Sequence, residues 1–202
     1  MSSSEIKQYK STYQSTIEFD KFIKKNLLKS KFILDAGCGE GGTLSYYAKK
    51  YDHLKIIGLD YRDYNVATSK KYFKKFNLDK NTKFKKINLL KKIKDKSLNN
   101  PDGIISEKTF CTFKNIELVL NNLIGLNPKW IAINSLFFDG NLDVLIHTRN
   151  TSKKNNINYQ DSNPDSDFNI FSLDNIKKFL KKKKYKISKV KPFFPIKNIK
   201  RN

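Results

Sequence analysis

Along this chain, short apolar runs that end at glycines or turn pairs alternate with longer stretches whose apolar residues recur every three or four positions. Phe19, Phe22, Ile23 and Leu27 have helix spacing, and the run KFILDAGC behind them predicts a strand over residues 32–35. Residues 43–51 read as a helix and LKIIGLDY as a second strand over residues 54–61. Strand, glycine turn, helix and strand in that order form the βαβ unit of a parallel sheet. The alternation continues with a helix over 64–76, a strand over 83–90, a lysine- and asparagine-rich connection over 91–102 and a strand over 103–107. A helix over 116–126 and a strand over 130–138, closed by Asp139-Gly140, follow. The expected fold is α/β, a Rossmann-like doubly wound sheet, mostly parallel with an antiparallel edge.

Past that turn the period changes. Leu142, Val144 and Ile146 alternate, which predicts a strand that pairs antiparallel with its neighbour across a hairpin. Residues 151–169 are polar and contain a proline, so they read as a mobile loop; with the hairpin they form a lid-like insertion at about 139–170. A helix over 172–183, with Ser172 as N-cap and Asp174 in its first turn, precedes a last strand over 186–194. The expected organisation is a cap segment and helix over 1–30 and one domain over 31–202.

The segment Asp35-Ala36-Gly37-Cys38-Gly39-Glu40-Gly41-Gly42 satisfies G-x-G-x-x-G, so a dinucleotide site has to be weighed first. Asp35, two places before the first glycine, argues against it. A pyrophosphate at the helix amino terminus would meet that carboxylate and Glu40, where like charges are costly. S-adenosylmethionine has no phosphate, and its ammonium, sulfonium and single carboxylate suit an acidic residue beside exposed backbone N–H groups. Asp60 ends the second strand, where a carboxylate can accept hydrogen bonds from both ribose hydroxyls. Asn88 and Leu89 end the third, with an amide for the adenine edge and an apolar face for the ring. Cys38, Tyr61 and Ser106 complete the expected cofactor-binding set with Asp35, Gly37, Gly39, Asp60, Asn88 and Leu89.

FILDAGCGEGG followed by IIGLDY resembles the first two motifs of the class I S-adenosylmethionine-dependent methyltransferases, and the element order is similar over about residues 15–195. The resemblance implies a seven-stranded sheet, the cofactor across the carboxyl ends of the first strands, Gly37 and Gly39 under its methionine portion and Asp60 on its ribose. Asn88 stands where that family commonly has aspartate. In such enzymes the acceptor is framed by the amino-terminal segment, the loop after the fourth strand and insertions after the fifth. Here these supply Tyr9 and Tyr13, then residues 106–113, then Ser135, Phe137, Phe138, Asp139 and His147. Glu107, His147 and Tyr13 are the candidate catalytic residues, Glu107 as base or orienting carboxylate. For Phe110, Phe113 and His147 the competing reading is structural packing.

The loop after the fourth strand lacks the Asn/Asp-Pro-Pro-aromatic sequence of exocyclic-amine base methylases, and Cys111 is not preceded by proline as in the cytosine-C5 enzymes. WIAINSLFFDGNLDVLIHTRN is similar to bacterial methyltransferases found among surface-sugar or metabolite genes. The leading expectation is therefore transfer to an oxygen or nitrogen of a small molecule, a sugar or surface-polysaccharide precursor among the options. RNA methylation and a non-catalytic cofactor-binding module stay open.

Composition alters this little. The 202 residues carry 41 Lys+Arg against 19 Asp+Glu, a net charge of +22. The only arginines are Arg62, Arg149 and Arg201, and the many lysines come with abundant Asn and Ile, as A+T-rich coding produces. A solvated basic surface is the leading explanation, with phosphate tracking by Lys181–Lys184 as the alternative. Cys38 and Cys111 have no metal-ligand spacing and read as buried reduced thiols, so no metal is expected. No signal-like or membrane-spanning apolar run is present, and a cytoplasmic location is expected.

Overall fold

The computed structural model describes residues 9–149 and 165–192, with the side chains of 147–149 and 165–167 outside that description. Five strands, β1 (Phe32–Ala36), β2 (Lys55–Asp60), β3 (Thr82–Lys86), β4 (Gly103–Glu107) and β5 (Trp130–Asn134), form one parallel sheet in the order β3-β2-β1-β4-β5. The chain reverses its direction of travel across the sheet between β3 and β4, so the crevice of a doubly wound fold opens at the carboxyl ends of β1 and β4. β1 and β2 are apolar at nearly every position because helices cover both of their faces.

Strand parity sorts the core into two layers. Ile33, Ile56, Phe84 and Ile105 pack with α1 (Gln14–Lys29), α2 (Gly42–Lys50) and α3 (Asp63–Lys75). Leu34, Ala36, Ile57, Leu59 and Ile104 pack with α4 (Ile116–Ile124) and α5 (Leu173–Lys182). Each fully buried Leu or Ile contributes roughly 1.5–3 kcal/mol. Asn115 caps α4 by accepting the Leu118 N–H at 2.9 Å, and Ser172 caps α5 as expected, accepting the Asn175 N–H at 3.1 Å.

The region after β5 departs from expectation. The run 130–138 breaks at Ser135, and β6 (Phe137–Phe138) pairs parallel with β9 (Phe171–Ser172) in a separate two-stranded sheet. The segment with Leu142 does not return along β5; Val144 bridges Ile170, and β7 (His147–Arg149) pairs antiparallel with β8 (Asp165–Asp167). The antiparallel pairing thus lies beside the main sheet, which has five strands among the described residues where seven were implied. Of the expected mobile loop, 151–164 lies outside the described residues, and 165–169 is built into the junction. Residues 186–192 form no strand among the described residues, and 193 and 194 lie outside them. Among the described residues no helix is long and apolar enough to cross a membrane.

Candidate cofactor and acceptor site

Register fixes the site. Asp35 pairs with Gly58 on one side and Ile105 on the other, and Asp60 and Glu107 lie two residues further along those strands. With the strand period of two, all three carboxylates point to the α1–α3 face at the carboxyl end of the sheet. Asp35 is only 4% exposed. Burial, with Glu107 and Asp60 nearby, pushes its carboxyl well above the usual carboxylate range, and among the described residues no hydrogen bond offsets them. A buried acid in that state favours an incoming cation.

The turn after β1 is held open by its backbone. The N–H groups of Gly37 and Cys38 both donate to Leu59 O, at 2.8 and 3.0 Å. Gly37 has φ 84°, and a Cβ there would lie 2.2 Å from Thr109 Cγ2, so only glycine lets the loop after β4 close over the turn. Thr109 Oγ1 donates to Gly37 O at 2.9 Å. Gly39, at φ 54°, has nothing within 4 Å of its Cβ direction, which is where a ligand can approach. From above, the Tyr9 hydroxyl donates to Glu40 O at 2.5 Å and its ring stacks on Phe76 at 5.4 Å.

Asp60 ties the turn to β2. Oδ2 accepts the Gly39 N–H at 3.0 Å, while Oδ1 accepts the Arg62 N–H at 2.9 Å and Asn65 Nδ2 at 3.0 Å. A carboxylate has about four acceptor sites, so one is free and a second becomes available if an existing donor yields.

Glu107 is differently placed from a free base. Its Oε1 accepts from the Tyr47 hydroxyl at 2.7 Å and its Oε2 from Thr16 Oγ1 at 3.0 Å, fastening α2 and α1 to the end of β4. Burial raises its carboxyl despite those bonds. Next to it Lys108 is held at φ 60°, with its Nζ 3.9 Å from the Tyr13 ring centroid. Burial lowers that ammonium against the opposing pull of Glu107. Tyr13 is half-exposed beside it at the mouth. His147 falls in β7, and its side chain is outside the described ones.

The remaining expected contacts divide. Ser106 is fully buried and donates to Ala36 O at 2.6 Å, so it joins β4 to β1 and does not face the crevice. Leu89 is 4% exposed and packed in the α4–α5 layer. Asn88 is exposed, its Oδ1 accepting the Leu90 N–H at 2.9 Å in a turn that ends β3 early, and its amide nitrogen stays available. Tyr61 is half-exposed and carries the Arg62 guanidinium 5.2 Å over its ring. Cys38 is a buried thiol whose titration burial raises, and Cys111 is likewise buried and free. Phe110 is fully buried and Phe113 packs against the same layer. Among the described residues no cluster could hold a metal ion.

Sequence reasoning passed over Thr16 and Asn169, and reached Thr109 only as part of the acceptor-framing segment 106–113. Asn169 is 1% exposed and joins three segments: its N–H donates to Cys111 O at 2.7 Å, its Nδ2 to Phe113 O at 2.8 Å, and its Oδ1 accepts the Ile146 N–H at 3.2 Å.

A family model described as a methyltransferase domain matches residues 27–189. Sterol 24-C-methyltransferase ERG6 of Saccharomyces cerevisiae is 36% identical over 61 residues, which is 30% of this chain and 16% of that protein. The Candida albicans sterol 24-C-methyltransferase is 34% identical over 68 residues, 33% of this chain and 18% of that protein. The matched stretch thus spans under a fifth of the length of these curated relatives. An O-methyltransferase from a trans-AT PKS multienzyme of Brevibacillus brevis, solved with S-adenosyl-L-homocysteine, superposes with a TM-score of 0.53 at 18% identity, covering 83% of this chain and 50% of that one. That likeness is one of fold.

Proposed function

The chain belongs to the methyltransferase-domain family, and from that membership we propose that it is an S-adenosylmethionine-dependent enzyme that methylates an oxygen or nitrogen of a small molecule. The observation that carries the cofactor reading is Asp35, a buried carboxylate with no hydrogen-bond donor among the described residues, beside the open side of Gly39. Its charge suits the ammonium of the methionine portion, and Asp60 accepts the ribose hydroxyls. The Asn88 amide nitrogen meets the edge of the adenine, with Tyr61 at its rim. When bound, the cofactor would supply a methyl group on a sulfonium: the S–CH3 bond breaks as the heteroatom–CH3 bond forms, the neutral thioether is the leaving group, and the acceptor's proton passes to solvent. Tyr13 and Lys108 border the acceptor, and Glu107 positions the helices that exclude water around it.

The small-molecule reading is supported by local charge. Residues 101–149, which include the loops flanking the mouth, carry three lysines and one arginine against five acidic residues. A net of about −1 is a poor seat for a polyphosphate chain. The insertion after β5, with its sequence likeness to sugar- and metabolite-gene methyltransferases, favours a sugar or surface-polysaccharide precursor.

Labelled S-adenosylmethionine incubated with the full chain and fractionated cell extract tests both parts. Label is expected in low-mass material. Calorimetry showing no cofactor binding overturns the enzyme reading, and label recovered in RNA or protein overturns the small acceptor.

A further inference from the structure

The lysines are not spread evenly. Residues 173–192 hold nine lysines and one aspartate, whereas residues 101–149 hold three lysines. Residues 70–96 are as rich, with twelve lysines in 27 residues, so density alone does not single out 173–192. What sets it apart is that α5 and the segment behind it form an open groove of about 390 Å³ lined by Lys177, Lys181, Tyr185, Lys186 and Lys189.

The partner can be read from the shape and chemistry of that groove. Lys177 and Lys181 lie one helical turn apart on one face, about 5–6 Å between Cβ atoms, and repeat along the groove floor. Lys181, Lys182, Lys184 and Lys186 are exposed and make no ion pair among the described residues. Lys184 sits at φ 62° just past the end of α5, where Tyr185 N–H donates to Leu180 O at 2.8 Å. Glycine is favoured at that position, yet a lysine stands there, at the edge of the groove's sequence. Tyr185, 40% exposed in the lining, offers an aromatic face. The row then leaves α5 and reaches α1 on the opposite layer, with Lys189 Nζ 4.6 Å from the Phe22 ring centroid and Lys191 3.4 Å from Glu18. A bilayer would need the apolar side of α5, but Leu173, Ile176 and Phe179 are buried in the core. Cations spaced along a groove with an aromatic platform match a single nucleic-acid strand.

We propose that the groove between α5 and residues 185–191 docks the sugar-phosphate backbone of single-stranded RNA. This surface is separate from the glycine turn and does not rest on the small-molecule reading.

Anisotropy of a labelled oligouridine, titrated with the full chain across a salt series, tests the proposal. Wild type is expected to bind with affinity that falls as salt rises. Replacing Lys181, Lys182, Lys184 and Lys186 by Gln should lower affinity at least ten-fold and flatten the log–log slope by about 2 to 3, from roughly 0.7 per phosphate contact. A control replacing Lys70, Lys71, Lys74 and Lys75 of α3 by Gln removes the same charge elsewhere and should change affinity less than three-fold. Tyr185→Leu should weaken binding about ten-fold with the slope unchanged. Circular dichroism checks that each variant is folded. If the quadruple variant fails to fold, Lys181→Gln and Lys186→Gln decide the matter, each expected to lower the slope by about 0.7. Equal losses in the groove and control variants overturn the proposal, as does binding to phosphatidylserine vesicles without binding to oligouridine.

Discussion

The two ends of this molecule's charge distribution obey opposite physics. At the carboxyl end of the sheet, Asp35, Asp60 and Glu107 sit at 4%, 7% and 9% exposure on one face, so each must be hydrogen-bonded, partly neutralised or matched by a ligand cation. Along α5 and residues 183–191 the lysines are solvated, and each costs almost nothing to place. A buried charge can specify one ligand because leaving it unmatched is expensive. A solvated row acts only collectively, through counterions, and its effect fades with salt. The chain's +22 charge describes the second region and conceals the first.

The comparison breaks most severely at Asp60. Asp60→Ala removes the proposed ribose acceptor and the anchor of Gly39, Arg62 and Asn65 together. At roughly 1.5–3 kcal/mol for each hydrogen bond to a charged group, losing two to the ribose should weaken cofactor binding by at least about 100-fold. Calorimetry reads this directly, and an unchanged affinity would remove the carboxylate from the site. Gly37→Ala comes next. The new methyl meets Thr109 Cγ2 at 2.2 Å on a backbone at φ 84°, so a loss of about 2–4 kcal/mol in urea unfolding is expected. Thr109→Ala in the same chain should restore only part of it, since the backbone strain stays.

These two positions were not equally legible beforehand. Asp35, Gly37, Gly39 and Asp60 could be read because β1 and β2 announce themselves as apolar runs and the period of two then dictates which carboxylates share a face. Thr109 against Gly37 is a contact between residues 72 apart, and Asn169 to Phe113 O spans 56. Both lie in polar segments with no period to mark them, where pairing is decided only once the layers have packed. The same reason explains why residues 165–169 read as loop. A strand-end position says that a side chain is near the crevice, and packing decides which way it turns. Glu107 could be placed at the end of its strand, but its bonds to Tyr47 and Thr16 come from helices whose placement no local pattern reveals.

A smaller effect separates the two regions by pH. The folded protein holds the Asp35 proton more tightly than the unfolded chain, whose aspartates titrate near 3.9. The stability linked to this group is fully present below that value and declines as pH rises through the raised folded value. With the cofactor ammonium at Asp35, as proposed, binding reverses the trend, because the cation favours the ionised carboxylate and expels the proton. Affinity should therefore increase with pH, with proton release seen as a buffer-dependent binding enthalpy. Asp35→Asn should remove the pH dependence and cost about ten-fold in affinity, one charge-assisted hydrogen bond of roughly 1.5 kcal/mol. RNA docking should show no such dependence over the same range.

The least effect belongs to Lys184, where both kinds of energetics meet in one residue. Its left-handed backbone costs a side-chain-bearing residue about 1–2 kcal/mol, and glycine escapes that cost while giving back roughly 0.5–1 kcal/mol in chain entropy. Lys184→Gly should therefore stabilise the fold by about 0.5–1 kcal/mol, read as a small rise in thermal midpoint. The same variant removes one solvated cation, so its RNA salt slope should fall by about 0.7. A protein that becomes more stable while its grip on a strand loosens would show that this lysine is kept against the preference of its own backbone. A midpoint that falls, or a slope that does not move, would return it to the ordinary surface.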